Sequence, residues 1–427
     1  MDRSRLKSQS IYSVSIRNHS KSGDIQGLID DLPRIKDLGV NIIWILPHYP
    51  IGKENRRGDI GSPYSVSDYF SVNPELGGLN DFKNLIDRCH EHGLKIIIDI
   101  VFNHVSCDSV VVLEHPEWIL QNEKNQMIGK IPDWDDVYDL DFSNSELKNY
   151  LIEVLHYWAE LNIDGFRCDV ASVVPLSFWS MAKDTLSSDH RDLIWIAESV
   201  DKEFISFIRH NGYVCHSDSE LYNVFDILYD YDIQYSLEGY IQGDIPFQKF
   251  IDERRNQEII YPVDYLKLRF LENNNTIRAA KLIKDDYLLI NWKAFSLFEK
   301  GVPLIYAGEE YKISQKVNIL SNETINWTDI DASFYDMIKK ILSIDHMDIV
   351  KNGIYTINAL ADNCVHLRYR AEGETLHGIF NFGKKDRNIK VEVLKGDYLN
   401  IVTGENFSID HEKLNLKKAP YIFKSIP

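Results

Sequence analysis

Short apolar runs alternate with helical stretches along most of this chain. Between Ile11 and about Asp348 eight strand candidates recur, namely IYSVSI, NIIWILP, KIIIDIVF, DGFRCDVA, LIWIAES, YVCHSD, LKLRFLE and VPLIYAG. The intervening segments carry the helical period. Phe82, Leu85, Ile86 and Cys89 fall at i, i+3, i+4 and i+7, which predicts a helix begun by Asn80 or Asp81 and stopped near Gly93. Ile25, Leu28, Ile29, Leu32, Ile35 and Leu38 repeat the pattern, and Pro33 inside it predicts a kink.

Alternating strands and helices imply a parallel sheet, and eight such units close into an α/β (β/α)8 TIM barrel. Two connections are enlarged, from about His48 to Asn80 and from about His104 to Asn144. On a barrel both lie at the C-terminal ends of the strands, where active sites are built. Beyond Asp348 the period changes from 3.6 to 2, as GIYTINAL, VHLRYRA, LHGIFNF and IKVEVLK alternate between Gly, Asn and Asp turns. The expected organisation is a catalytic barrel over 1–348, with a short insertion at 104–144 after strand three, and a C-terminal antiparallel β-sandwich domain over 349–427.

A chain of 427 residues exceeds what one hydrophobic core supports, in keeping with two parts. Its net charge of −18 argues against nucleic acid or an anionic membrane as the main partner, since both demand clustered Lys and Arg. The amino terminus MDRSRLKSQS has no apolar segment, and no window approaches the ~20 apolar residues of a membrane span. Five cysteines without a CxxC pair leave at least one thiol free and point to a reducing compartment, so the cytoplasm is the expected location. The 8 Trp, 23 Tyr and 19 Phe would suit stacking on sugar rings, although most aromatics in a chain of this size fill the core.

Strand three ends in DIVFNH, strand four in GFRCDVA and strand five in IAES, each bringing polar groups to a C-terminal end. Arg167 and Asp169 are two residues apart and therefore face the barrel interior together. A guanidinium beside a carboxylate favours its ionised form, so Asp169 is expected to carry a lowered pKa and to suit a nucleophile. Glu198 stands at the matching level of the next strand, roughly 4.8 Å away, which allows the ~5 to 5.5 Å carboxyl separation of a retaining glycosidase. Asp99 is a candidate counter-charge for Arg167. A purely structural reading, a buried ion pair at Asp169 and a strand-end carboxylate at Glu198, accounts for the same residues.

In this order the segments resemble the α-amylase family, glycoside hydrolase family 13. The resemblance rests on GVNIIWILP, GSPYSVSDYF, DIVFNH, GFRCD, IAES and GVPLIYAGEE, and GDYLNIVTGENF near Gly396 is similar to the family's C-terminal β-sandwich. It implies Asp169 as nucleophile and Glu198 as general acid/base, with Arg167, Tyr64 and His104 binding the cleaved sugar. The implied substrates are maltodextrins or short α-glucosides, cleaved by hydrolysis or used for glucosyl transfer. The resemblance sets no oligomeric state.

Strand seven departs from the family pattern. It reads FLENNNTIR, with Asn274 and Asn275 where the family has His and its third carboxylate, Asp. Charge-assisted hydrogen bonds are roughly twice as strong as neutral ones, so weakened catalysis is expected. The alternative is a catalytically impaired sugar-binding or scaffold protein of the same fold. An accessory subunit of an amino-acid transporter would borrow this barrel too, but the chain lacks the membrane span. Ser172 and Val173 replace residues that are often Lys and His in starch-cleaving relatives. Asn103 matches a frequent calcium ligand and Asp139 in VYDLDF is a second candidate, yet Val173 removes a usual partner and calcium needs six or more oxygens. No required cofactor is expected, and calcium is not favoured.

Overall fold

The computed structural model describes residues 3–328, 330–345 and 347–426. Eight strands, β1 (Ile11–Val14), β2 (Ile42–Ile45), β3 (Lys95–Ile100), β4 (Gly165–Cys168), β5 (Ile194–Ala197), β6 (Ile227–Tyr229), β7 (Lys267–Arg269) and β8 (Val302–Tyr306), close a parallel barrel. Each follows its neighbour in sequence order around the ring, and β8 pairs with β1. Alternate side chains serve two cores. Ile42, Trp44, Ile97, Ile194, Ile196, Ile227, Leu268 and Leu304 fill the interior. Ile43, Ile45, Ile96, Ile98, Phe166, Trp195 and Ile305 pack outward under the helices. Burial on both faces is why these strands read as unbroken apolar runs. At Gly165 a Cβ would stand 2.3 Å from the Ile194 carbonyl oxygen, so only glycine lets β4 approach β5 there.

The sixth strand corrects the sequence reading. The run YVCHSD forms no strand. It crosses the strand-four loop, with the His216 N–H donating to the Ser172 carbonyl at 2.7 Å, and the barrel takes Ile227–Tyr229 instead. Three residues are too few to display a period of two. The helix at Leu79–Glu91 buries Phe82, Leu85, Ile86 and Cys89 as their spacing requires. The run containing Pro33 is not one kinked helix but two, Ile25–Ile29 and Leu32–Asp37. Pro33 lies in the first turn of the second, where a missing N–H costs nothing.

The insertion after β3 is closed at its base by a two-stranded antiparallel ribbon, in which His104–Ser106 pairs with Val137–Asp139. C-terminal to the barrel, β9 (Ile354–Ala361), β10 (Cys364–Ala371), β11 (Glu374–Asn381) and β12 (Tyr421–Ser425) form an antiparallel sheet in that order, joined by two short ribbons. Ile379, Ile389, Val391, Ile409, Leu414, Leu416 and Phe423 fill its own core. Toward the barrel, Phe382 stacks on Trp292 of the helix Asp286–Phe298 with ring centroids 3.7 Å apart. Among the described residues no helix is long and apolar enough to cross a membrane.

Candidate active site

Strand register builds the site. Across β3, β4 and β5, Asp99 stands opposite Arg167 and Arg167 opposite Ile196. Two residues further up β4 and β5, the Asp169 N–H donates to Ile100 O at 2.8 Å and the Glu198 N–H to Cys168 O at 3.0 Å. Asp169 and Glu198 therefore leave the barrel side by side at its C-terminal end, on the inward-facing phase of each strand.

Arg167 lies beneath them with no exposed side-chain surface. Its Nη1 is 2.8 Å from both Asp99 Oδ1 and Asp169 Oδ1, and its Nη2 is 2.8 Å from Glu198 Oε1. Nε donates to Tyr229 Oη at 3.1 Å, and the guanidinium carbon lies 5.1 Å from the Trp44 ring centroid and 5.2 Å from that of Tyr229. This cation cannot balance three buried carboxyls at once. Burial pushes Asp99 up to about 7, Asp169 to about 6 and Glu198 to about 7, against the opposing pull of Arg167 on each. For Asp169 the outcome reverses the sequence expectation, because desolvation outweighs the guanidinium. The order is nevertheless useful. Asp169 ionises first, and its charge then helps Glu198 to keep a proton.

The backbone after Asp169 is strained. Val170 adopts φ +40° and ψ +43°, a left-handed conformation costly for a β-branched residue. In return its N–H donates to Glu198 Oε2 at 2.9 Å.

Asp169, Glu198, Tyr64, His104, Asn274 and Asn275 all line one cleft of about 660 Å³. Tyr64 is half-buried and accepts from Asn274 Nδ2 at 3.3 Å. Asn274 Nδ2 also donates to Asn275 Oδ1 at 3.0 Å, which turns the Asn275 amide nitrogen toward Glu198 Oε1 at 3.4 Å and Tyr231 Oη at 3.3 Å. His104 is buried, with its ring set edgewise to Trp134 at 5.2 Å.

Sequence reasoning missed Trp134 and Asp136 from the insertion, Arg57 from the loop after β2 and Lys316 from the loop after β8, which line the same cleft. Only Trp134 left a signal, as a large aromatic inside the acidic stretch PDWDD. Lys316 Nζ donates to the Asn275 carbonyl at 3.2 Å and so braces the strand-seven loop.

The candidate calcium ligands do not fit a calcium ion. Asn103 Oδ1 and Asp139 Oδ2 both face the ammonium of Lys130, at 2.9 and 3.1 Å. Val173 is packed in an apolar cluster with Val170 and Ile208. Among the described residues no three His, Cys, Asp or Glu side chains gather as a metal cage.

Comparison with known proteins agrees with this architecture. Residues 10–116 and 111–347 match the family described as Alpha amylase, catalytic domain, and residues 356–423 match Bacterial Alpha amylase C-terminal domain. An α-amylase from Lactobacillus plantarum is 37% identical, superimposes with a TM-score of 0.96, and the match covers 99% of this chain and 100% of that one. A noncanonic maltogenic α-amylase, AmyB, from Thermotoga neapolitana is 30% identical with a TM-score of 0.88, the match covering 99% of each. Among curated relatives, a cyclomaltodextrinase from Geobacillus thermopakistaniensis is 24% identical over 428 residues, 94% of this chain and 69% of that protein.

Proposed function

The chain belongs to the α-amylase family, and from that premise we propose that it is a retaining hydrolase or glucosyl transferase acting on α-glucosidic bonds of maltodextrins or short α-glucosides. The observation that carries this reading is the guanidinium of Arg167 holding one oxygen each of Asp169 and Glu198. Inverting enzymes keep their carboxyls roughly 6.5 to 9.5 Å apart to admit a water between them. Two carboxyls on adjoining strands, bridged by one guanidinium, suit the closer retaining arrangement.

Asp169, the group that ionises first, attacks the anomeric carbon while Glu198 delivers its proton to the departing glycosidic oxygen. Glu198, now a carboxylate, then takes a proton from water or from a sugar hydroxyl as that oxygen displaces Asp169. Tyr64, His104 and Asn274 contact the bound sugar. The relatives named as cyclomaltodextrinase and maltogenic α-amylase support an α-glucan as the substrate. Five buried, unpaired cysteines support work in the cytoplasm.

Asn275 weakens this machinery, because a neutral amide replaces a charge where positive charge develops on the sugar. It also supports a second reading, a protein that binds sugar without turning it over. Hydrolysis of maltotriose, with the anomer of the fresh product read by proton NMR, tests both. Release of the α-anomer, lost in Asp169→Ala, is the expected result. A β-anomer, or activity untouched in Asp169→Ala, overturns the retaining mechanism. Tight binding without turnover across a panel of α-glucosides favours the second reading.

A further inference from the structure

We propose that Lys130 is the resident cation of the Asn103–Asp139 site, taking the place a divalent metal would occupy, and that through Asn103 it decides which nitrogen of His104 carries the proton. Asp139 and Asn103 are each 1% exposed, and the Lys130 side chain is 10% exposed. A carboxylate this deeply buried requires a cation beside it. Calcium would require six to eight oxygens at 2.3 to 2.6 Å. Here two oxygens meet one ammonium at 2.9 and 3.1 Å, the ordinary spacing of a lysine. Calcium could enter only by expelling Lys130.

An ammonium has three hydrogens and no lone pair, so Asn103 must turn its Oδ1 toward Lys130 and its NH2 away. That NH2 lies 3.1 Å from His104 Nδ1. An amide nitrogen can only donate, so Nδ1 must be the lone-pair nitrogen, which leaves His104 neutral with its hydrogen on Nε2. His104 lines the cleft and pairs in register with Asp139 in the ribbon that closes the insertion. Lys130 thus joins the loop after β3 to the returning strand of the insertion, and it is a positioning residue for the wall formed by His104, Trp134 and Asp136. Neither part of the proposal rests on the roles given to Asp169 and Glu198, and its readouts work in an inactive protein.

The test compares the native protein with Lys130→Ala, which opens the space, and Lys130→Met, which keeps the stem without the charge. The native melting temperature is expected to be the same in EDTA and in millimolar calcium. Lys130→Ala should melt about 3 °C or more lower in EDTA. Calcium should restore none of that loss, because Asn103 and Asp139 supply two oxygens where calcium takes six to eight. Lys130→Met should lose stability without recovery. In 15N-histidine spectra, the His104 signal, assigned by its loss in His104→Gln, should show an Nε2–H imidazole in the native protein and a mixture of tautomers in Lys130→Met. A native melting temperature that depends on calcium overturns the proposal, as does a Lys130→Ala variant that keeps the native stability. A native His104 protonated at Nδ1 overturns the positioning role.

Discussion

The side-chain amide of Asn275 donates to Glu198 Oε1 across 3.4 Å, in an orientation set by Asn274, whose own amide donates to Asn275 Oδ1 at 3.0 Å. The resemblance to the α-amylase family implies an aspartate at this position. The substitution thus exchanges a negative neighbour of the acid for a weak hydrogen-bond donor.

Asn275→Asp is expected to raise turnover and to move the alkaline limb of the pH profile. Replacing a neutral hydrogen bond of about 1 kcal/mol by a charge-assisted one of about 1.5 to 3 kcal/mol predicts a gain of roughly two- to thirtyfold in kcat for each bond so strengthened. The new charge lies beside Glu198 and disfavours its ionisation, so the alkaline limb shifts upward. Initial rates on maltotriose against pH measure both effects, and an unmoved limb would show that position 275 does not act on Glu198.

In the native protein, kcat/KM should trace a bell whose two limbs lie close together. The acid limb reports Asp169, raised by burial to about 6, which must be ionised to attack. The alkaline limb reports Glu198, raised by burial and by Asp169 to about 7, which must hold its proton. Activity is lost below the first value and above the second, giving a narrow, mildly acidic optimum. A broad plateau reaching pH 9 would contradict the arrangement of charges around Arg167.

Glu198→Gln separates the two carboxyl roles. A leaving group that departs without a proton needs no acid, whereas a sugar alkoxide does. The variant should lose about 10²- to 10⁴-fold on maltotriose, while formation of the glycosyl-enzyme from an activated aryl α-glucoside should suffer far less. Equal losses on both substrates would assign Glu198 some other task.

At Val170 the left-handed backbone reverses an ordinary ranking of substitutions. Glycine normally costs about 0.5 to 1 kcal/mol relative to alanine. Here it relieves a left-handed strain of roughly 1 to 2 kcal/mol that any Cβ incurs. Val170→Gly should therefore be at least as stable as Val170→Ala in thermal or urea unfolding. A clearly less stable glycine variant would mean that the turn at φ +40° stores no strain.

By itself the sequence determined the parallel barrel and seven of its eight strands, because apolar runs buried on both faces and the 3.6-residue period of the helices between them are local signals. It placed Asp169 and Glu198 on one level, since two strands in parallel register carry equivalent positions to the same height. It also exposed the Asn274–Asn275 departure, which needs only a motif to be seen. Tertiary structure decided what depends on distant groups. The short strand Ile227–Tyr229 is a strand because both its neighbours pair with it, not because of any pattern of its own. Adjacency of Arg167 and Asp169 foretold their ion pair, but the sign of the Asp169 shift came from desolvation by the whole surrounding barrel. Lys130 reaches Asn103 and Asp139 across a folded insertion, and no spacing records where a long, flexible side chain will end. Local periodicity fixes which face a residue shows, whereas charge balance and hydrogen-bond direction are set only when separate segments close around a common point.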